Sequence, residues 1–328
     1  MQTRKLGYSD LNLTTIGFGA WAIGGGNWEW GWGQQDDGES LAAIRKAFDL
    51  GINWIDTAAA YGLGRSEVLV GKALKGYADP VIVATKCGLV WDDPGAGKVY
   101  NRLKASSVRK EAEDSLRRLG VEVIDLYQIH WPVPDADVEE GWTEVAKLIE
   151  EGKVRYGGVS NFNLEQLKRC QAIHPIASLQ PPYNMLERRA EAELFAFCEE
   201  NQIGVIAYSP MASGLLTGKY TRERVAALPP EDWRTSRDPH FQEPELGANL
   251  ELVQMLSELT KGQGHSLGEL AVAWVLRHPE VTAAIVGARR PSQIEQIAPA
   301  ADWALGEGLV EDIDQVLRWR EEVVKLEV

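Results

Sequence analysis

Three apolar runs of strand length end in ionisable residues: Asn53–Asp56 in a carboxylate, Val81–Lys86 in an amine, Ile124–His130 in an imidazole. A phenol, Tyr61, follows Asp56 in the next loop. Any one of these alone reads as a helix cap or a satisfied core group. Together they form a set, because strand ends on one face of a parallel barrel converge on a single site, and titratable groups gathered in a cleft are how acid–base sites are made. An ammonium at Lys86 beside the Tyr61 hydroxyl favours phenolate, which would lower a pKa that starts near ~10. Tyr61 would then pass a proton at neutral pH. Asp56 would hold Lys86 charged and in place, and His130 would hydrogen-bond a substrate oxygen or Tyr61 itself. Such a set polarises a carbonyl. It is not built for acyl transfer, since no serine or cysteine stands beside the histidine in a nucleophile elbow.

Positioning these residues requires a particular succession of elements. Besides the three runs above, apolar runs of strand length occur at Thr15–Phe18, Tyr156–Ser160, Ala177–Gln180, Gly204–Ser209 and Ala283–Gly287, mostly continuous in hydrophobicity, as parallel strands buried on both faces should be. Stretches of helical period lie between them, among them Glu39–Leu50, Ser106–Leu119, Val138–Glu151 and Glu191–Glu200. Eight such alternations predict a (β/α)8 TIM barrel, with all 328 residues in one domain. A polar hairpin is expected over Thr3–Thr14, turning at Tyr8-Ser9-Asp10. Three long excursions, Trp21–Gly38, Trp91–Arg102 and Tyr220–Gly247, would share the C-terminal mouth, where barrels build their sites.

Composition narrows the classes further. A formal net charge of −14 repels nucleic acid and anionic lipid over most of the surface, so an anionic ligand needs a local basic pocket. Cys87, Cys170 and Cys198 show neither CxxC nor Cys/His spacing, so no disulfide framework and no metal site is expected. The first residues lack the apolar segment of a signal peptide, and no window approaches the ~20 apolar residues of a membrane span. A cytoplasmic location is expected.

With these residues in view, the sequence resembles the aldo-keto reductases. The matching stretches are Ile55–Gly62, Ala84–Gly88, Tyr127–Trp131, Gly157–Phe162, Ala207–Pro210 and Ile285–Pro291, in the family's order and across nearly the whole chain. The likeness is to the bacterial branch of general stress and inositol-type reductases and to potassium-channel β subunits. It implies a catalytic tetrad of Asp56, Tyr61, Lys86 and His130, with Tyr61 as acid in carbonyl reduction and base in alcohol oxidation. It implies that Ser160, Asn161 and Gln180 bind the nicotinamide carboxamide and that the ring stacks on Tyr208. No GxGxxG follows the first strand, so a Rossmann site has little support. The pyrophosphate is expected instead at Ser209, Pro210, Met211, Ser213, Gly214, Leu215 and Leu216, where backbone amides of a turn can face anionic oxygens, with Lys219 assisting. Gly287, Ala288, Arg289 and Gln293 match positions around the adenosine 2′-phosphate, and the pair Arg289-Arg290 favours NADPH over NADH. The sequence departs from the family at Gln296 and Ile297, where an acid and an asparagine commonly contact adenine. Trp21, Trp30, Trp32, Trp91 and Trp131 lie in or beside the excursions. Of these, Trp21, Trp91 and Trp131 are expected to wall an apolar substrate pocket. The resemblance leaves open a regulatory cofactor-binding subunit with slow turnover and a sugar or inositol dehydrogenase working oxidatively. A Schiff-base lyase on Lys86 is a third reading.

Overall fold

The computed structural model describes all residues except Asn27, Glu231 and Val328. The chain opens with the expected hairpin, β1 (Thr3–Lys5) antiparallel to β2 (Asn12–Thr14). Then come β3 (Ile16–Gly19), α1 (Asp37–Asp49), β4 (Trp54–Asp56), α2 (Arg65–Leu74) and β5 (Ile82–Cys87). A small hairpin, β6 (Leu89–Val90) with β7 (Tyr100–Asn101), forms the base of the Trp91–Arg102 excursion. It is followed by α3 (Ala105–Leu119), β8 (Ile124–Ile129), α4 (Val138–Glu150), β9 (Val154–Ser160), α5 (Leu164–Gln171), β10 (Ser178–Gln180), α6 (Ala190–Glu200) and β11 (Gly204–Ala207). The short α7 (Arg222–Ala226) and α8 (Trp233–Ser236) precede α9 (Glu245–Leu259), α10 (Leu267–Leu276), β12 (Val281–Gly287), α11 (Pro291–Ile297) and α12 (Glu307–Glu327).

Strands β3, β4, β5, β8, β9, β10, β11 and β12 pair in parallel, and β12 returns to β3, closing the barrel. Each overlaps a run expected from the sequence, with ends displaced by at most two residues. β11 stops at Ala207 where a longer strand was expected. Tyr208 makes only an isolated bridge to Pro182, and Ser209 turns the chain at φ 55°.

Local sequence accounts for the helices around it. Asp36 caps α1 by accepting the Glu39 amide, and Ala43, Ile44, Ala47 and Phe48 then fall on one stripe facing the barrel. Full capping boxes start α5 (Asn163 with Gln166) and α10 (Ser266 with Glu269). The N-terminal hairpin plugs the barrel floor: Leu6, Leu11 and Leu13 join Trp54, Ala84, Leu126, Ile206 and Ala283 in one apolar cluster. The Trp54 ring fills the space where a Gly17 side chain would stand, 2.1 Å from that missing carbon, and its indole N–H is satisfied by the Thr14 carbonyl. Among the described residues, no helix is long and apolar enough to cross a membrane.

Candidate active site

Side chains alternate along a strand, so a residue two places beyond an inward apolar one also points inward. Trp54, Ala84 and Leu126 belong to the apolar filling. Two residues on, toward the C-terminal mouth, stand Asp56, Lys86 and Gln128. The barrel interior thus changes from apolar to polar within one layer, and the alternation places the candidate groups on that boundary.

There the Lys86 ammonium makes three hydrogen bonds. It donates to Asp56 Oδ2 at 2.5 Å, to the Thr57 carbonyl at 3.0 Å and to the Tyr61 hydroxyl oxygen at 3.1 Å. All three protons of an ammonium are engaged, and a lysine so held has no lone pair to offer a carbonyl. This arrangement disfavours the Schiff-base reading. Because Tyr61 accepts from Lys86, its own proton is left to point elsewhere. The Tyr61 ring meets His130 edge-on, with centroids 5.6 Å apart.

One electrostatic expectation is reversed. Lys86 lies beside Tyr61 as anticipated, yet burial pushes the Tyr61 phenol well above its usual range, and the Asp56 carboxylate pushes in the same direction. The physical reason is that Asp56, bonded directly to the ammonium, offsets its charge, so removal from water dominates. Tyr61 therefore holds its proton firmly. Burial also lowers Lys86 from its usual value, against the opposing pull of Asp56 and Glu67. His130 is held well below its usual range by burial and by the Lys86 charge, so its imidazole is neutral.

The next residues along the mouth are tied to one another. Asn161, itself at φ 63°, donates to the His130 carbonyl at 2.9 Å and to Ser160 Oγ at 3.0 Å, and accepts the Tyr208 hydroxyl at 2.9 Å. Ser160 Oγ donates to the Gln180 carbonyl at 2.9 Å. The Gln180 side chain turns into the barrel, donating to Asp56 Oδ1 at 2.9 Å and to Gln128 Oε1 at 3.2 Å. Ser160, Asn161, Gln180 and Tyr208 are therefore brought together beside the tetrad.

The turn after β11 takes left-handed backbone at Ser209, Ala212, Ser213 and Gly214, with φ 55°, 46°, 55° and 90°. Three of these are not glycine, and strain of that kind is held where a backbone must present itself in one way. Within the turn the Ala212 amide donates to the Ser209 carbonyl at 2.9 Å, and the Gly214 and Leu216 amides donate to the Met211 carbonyl at 3.0 and 3.2 Å. Pro210, Met211, Leu215 and Leu216 lie in the same turn, and the last two are buried. Lys219 reaches Gln296, one of the two departures from the family pattern, at 3.1 Å.

At the end of β12, Ala288 is buried and Gly287 exposed. Gln293 folds back so that its carbonyl oxygen accepts the Arg289 and Arg290 amides at 2.7 and 3.1 Å. The Arg289 guanidinium reaches across to the Trp-rich excursion, donating to Gln35 Oε1 at 2.5 Å, to the Trp32 carbonyl at 3.1 Å and to the Gln34 carbonyl. Burial, with the charges of Arg234 and Arg290, presses Arg289 below its usual range. Arg234 is itself paired with Asp232 at 2.6 Å, so the adjacent Arg289 and Arg290 are what supply local positive charge in a protein of net charge −14.

Residues 15–318 match the Aldo/keto reductase family. The chain is 39% identical to the aldo-keto reductase YhdN of Bacillus subtilis, covering 97% of this chain and 94% of that one. The chain belongs to the aldo/keto reductase family. It is an oxidoreductase of carbonyl or alcohol groups. The NADH-specific methylglyoxal reductase of Escherichia coli is 34% identical over 90% of this chain and 92% of its own. The glycerol dehydrogenase AKR11B4 of Gluconobacter oxydans superposes with a TM-score of 0.88 at 39% identity, covering 97% of this chain and 96% of that one.

The mouth of this aldo/keto reductase is aromatic, although its rings are arranged differently from the sequence expectation. Trp28 is buried and packs against Tyr61, with ring centroids 5.9 Å apart, and Trp21, Trp30 and Leu63 complete that cluster. Trp21 also contacts the rings of Trp32 at 5.2 Å and Trp233 at 5.5 Å. Trp131 stands 41% exposed. Trp91 lies over the Arg118 guanidinium, which is engaged with Glu67 behind the barrel wall. Trp28 is not legible from the sequence, because one more tryptophan in a Gly- and Trp-rich segment carries no periodic signal. Gln128 leaves a usable sign, a glutamine in phase with Leu126 inside an apolar strand. As expected, the three excursions meet: the Glu29 amide donates to the Gly97 carbonyl, and Arg237 lies 3.8 Å from Glu29.

Proposed function

We propose that this aldo/keto reductase moves hydride reversibly between a nicotinamide dinucleotide, NADPH in preference to NADH, and a small aldehyde or ketone. Tyr61 gives the proton in reduction and takes it in oxidation. The observation that carries this reading is the contact of Lys86 with both Asp56 and the Tyr61 hydroxyl in a buried layer under an aromatic mouth. When bound, the dinucleotide supplies or accepts the hydride. Everything else is asked of the chain. Tyr61 keeps its proton until a carbonyl oxygen gains electron density, Lys86 steadies the oxygen that is left, and neutral His130 donates a hydrogen bond to the same carbonyl.

The donors present suit a dinucleotide. Ser160, Asn161 and the Gln180 side-chain amide, whose donors are now spent on one another and on neighbouring groups, would trade those bonds for a carboxamide, Tyr208 offers a ring, and the turn at residues 209–214 would take the pyrophosphate. The adjacent charges of Arg289 and Arg290 favour a 2′-phosphate and hence NADPH. The cluster of Trp21, Trp28 and Trp30 beside Tyr61 suits compact substrates of mixed polarity. Likeness to a glycerol dehydrogenase favours a second direction, oxidation of small polyols.

The test is spectrophotometric. NADPH oxidation with methylglyoxal, glyceraldehyde and aromatic aldehydes is measured beside NADP+ reduction with glycerol, sugars and inositols, and each is repeated with NADH. Turnover of at least one small carbonyl, faster with NADPH, is the expected result. Turnover with NADH alone would overturn the cofactor preference, and no turnover in either direction would overturn the reading itself.

A further inference from the structure

We propose that Gln128 is a positioning residue that fixes Asp56 for its pairing with Lys86 and couples that pair to Gln180 at the cofactor end of the site. The inference rests on the reading above and adds a member to it. Gln128 is fully buried in the barrel, paired in register with Lys86 on one side and Gly158 on the other. Its amide nitrogen donates to Asp56 Oδ1 at 3.2 Å, and its carbonyl oxygen accepts the Gln180 amide at 3.2 Å. Gln180 in turn donates to the same Asp56 oxygen at 2.9 Å. Asp56, Gln128 and Gln180 thus close a triangle, and the other Asp56 oxygen is committed to Lys86.

Two details say that this arrangement is built. First, the neighbouring inward positions of the barrel, Leu126, Ala84 and Ile206, are apolar and fill space without polar groups. A buried amide in that setting costs free energy unless it is hydrogen-bonded, and this one is bonded at both ends. Second, room has been left for it. A side chain at Gly158 would place its first carbon 2.2 Å from Ser178 Oγ and 3.1 Å from Gln128 Cγ, so glycine there leaves Gln128 its space in the layer. A carboxylate held on one oxygen by two amides cannot rotate freely. Its second oxygen therefore stays aimed at Lys86, which stays aimed at Tyr61. Because Gln180 belongs to the same triangle, a cofactor that pulls on Gln180 is felt at Asp56. A buried polar network acts in this way only when all of its members are satisfied.

Without Gln128, Asp56 loses one donor and its negative charge is less shared. That charge already raises the Tyr61 phenol, so the phenol rises further, and alcohol oxidation, which needs phenolate, moves to higher pH.

The test uses the whole protein. Gln128→Leu and the near-isosteric Gln128→Met are compared with wild type, and each is repeated in an Asp56→Asn background. The readings are kcat, substrate KM, the pH profile of alcohol oxidation, the melting temperature, and the dinucleotide dissociation constant from fluorescence titration. Expected are a fall in kcat of about tenfold with substrate KM within about threefold, the size of one coupling between contacting groups, and an upward shift of about half a unit in the oxidation profile. In the Asp56→Asn background the further loss should be less than about twofold, because there is no carboxylate left to position. Equal losses in both backgrounds, or an unchanged kcat and profile in Gln128→Met, would overturn the proposal. Should Gln128→Leu fail to fold, Gln128→Met carries the same measurements. A wild type that neither binds dinucleotide nor turns over would sink the proposed function first. An active wild type indifferent to Gln128 would sink this inference alone.

Discussion

Lys86 donates a hydrogen bond to the Tyr61 hydroxyl oxygen at 3.1 Å while paired with Asp56 at 2.5 Å, and both side chains are buried. The pairing sets the protonation of the site. A bare ammonium beside a phenol would draw it toward phenolate, but this ammonium is offset by a carboxylate on its other side. Tyr61 is left as a neutral acid, the form that carbonyl reduction requires.

The pH dependence follows in sign from these shifts. Since the Tyr61 phenol is raised, it stays protonated through and beyond the ordinary phenol value of ~10. A difference titration of phenolate absorbance, wild type against Tyr61→Phe, should show no contribution from Tyr61 below that pH. His130, depressed by burial, should give no protonation step near ~6.5 in the reduction profile. Reduction should therefore run level across neutral pH and oxidation should climb with pH. A reduction optimum on a sharp imidazole step would contradict this.

Lys86→Met removes the ammonium and leaves Asp56 buried without its cation. Turnover should fall by roughly 10²–10³-fold, the range for loss of one preorganised electrostatic partner. The melting temperature should fall too, because an orphaned buried charge is costly. Dinucleotide affinity should change little, which a fluorescence titration checks.

Trp28→Phe keeps an aromatic ring but shortens the wall beside Tyr61. Aromatic pairing is worth ~0.5–1.5 kcal/mol, so substrate KM should rise about tenfold or less with kcat largely kept. The same change at Trp91, which lies on Arg118, should leave KM unaltered. Steady-state kinetics on both variants separates the two positions.

Arg289→Ala frees the Trp-rich excursion from three hydrogen bonds and removes one charge of the Arg289-Arg290 pair. NADPH affinity should drop roughly 10- to 100-fold, the worth of one hydrogen bond to a charged group, while NADH is nearly unaffected. Equal loss for both dinucleotides would assign Arg289 to the excursion and not to the phosphate.

Most of the frame was legible because buried parallel strands leave a plain trace: largely apolar runs separated by amphipathic stretches, three of them ending in an ionisable residue. Asp56, Lys86 and His130 stood out for that reason, and the structure sets them within one layer of Tyr61. Interior electrostatics were less legible. The rise of the Tyr61 phenol depends on how deeply the ring is buried and on which oxygen of Asp56 meets Lys86, and neither is written in spacing. The commitment of Gln180 to Asp56 across the barrel, and of Arg289 to the Gln35 side chain and the Trp32 carbonyl, was hidden likewise, since both join residues far apart in the chain. Tryptophans in irregular loops were hardest to place. Trp28 and Trp91 sit in similar composition, but one packs on Tyr61 and the other on the Arg118 guanidinium.

The most direct test of the central claim is Tyr61→Phe, assayed for carbonyl reduction alongside fluorescence titration of NADPH. Loss of the phenol proton with the ring kept should lower kcat by about 10²–10⁴-fold while leaving the dinucleotide dissociation constant within about threefold. Turnover equal to wild type, with cofactor still bound, would contradict the account, because the proton would then have to come from another group.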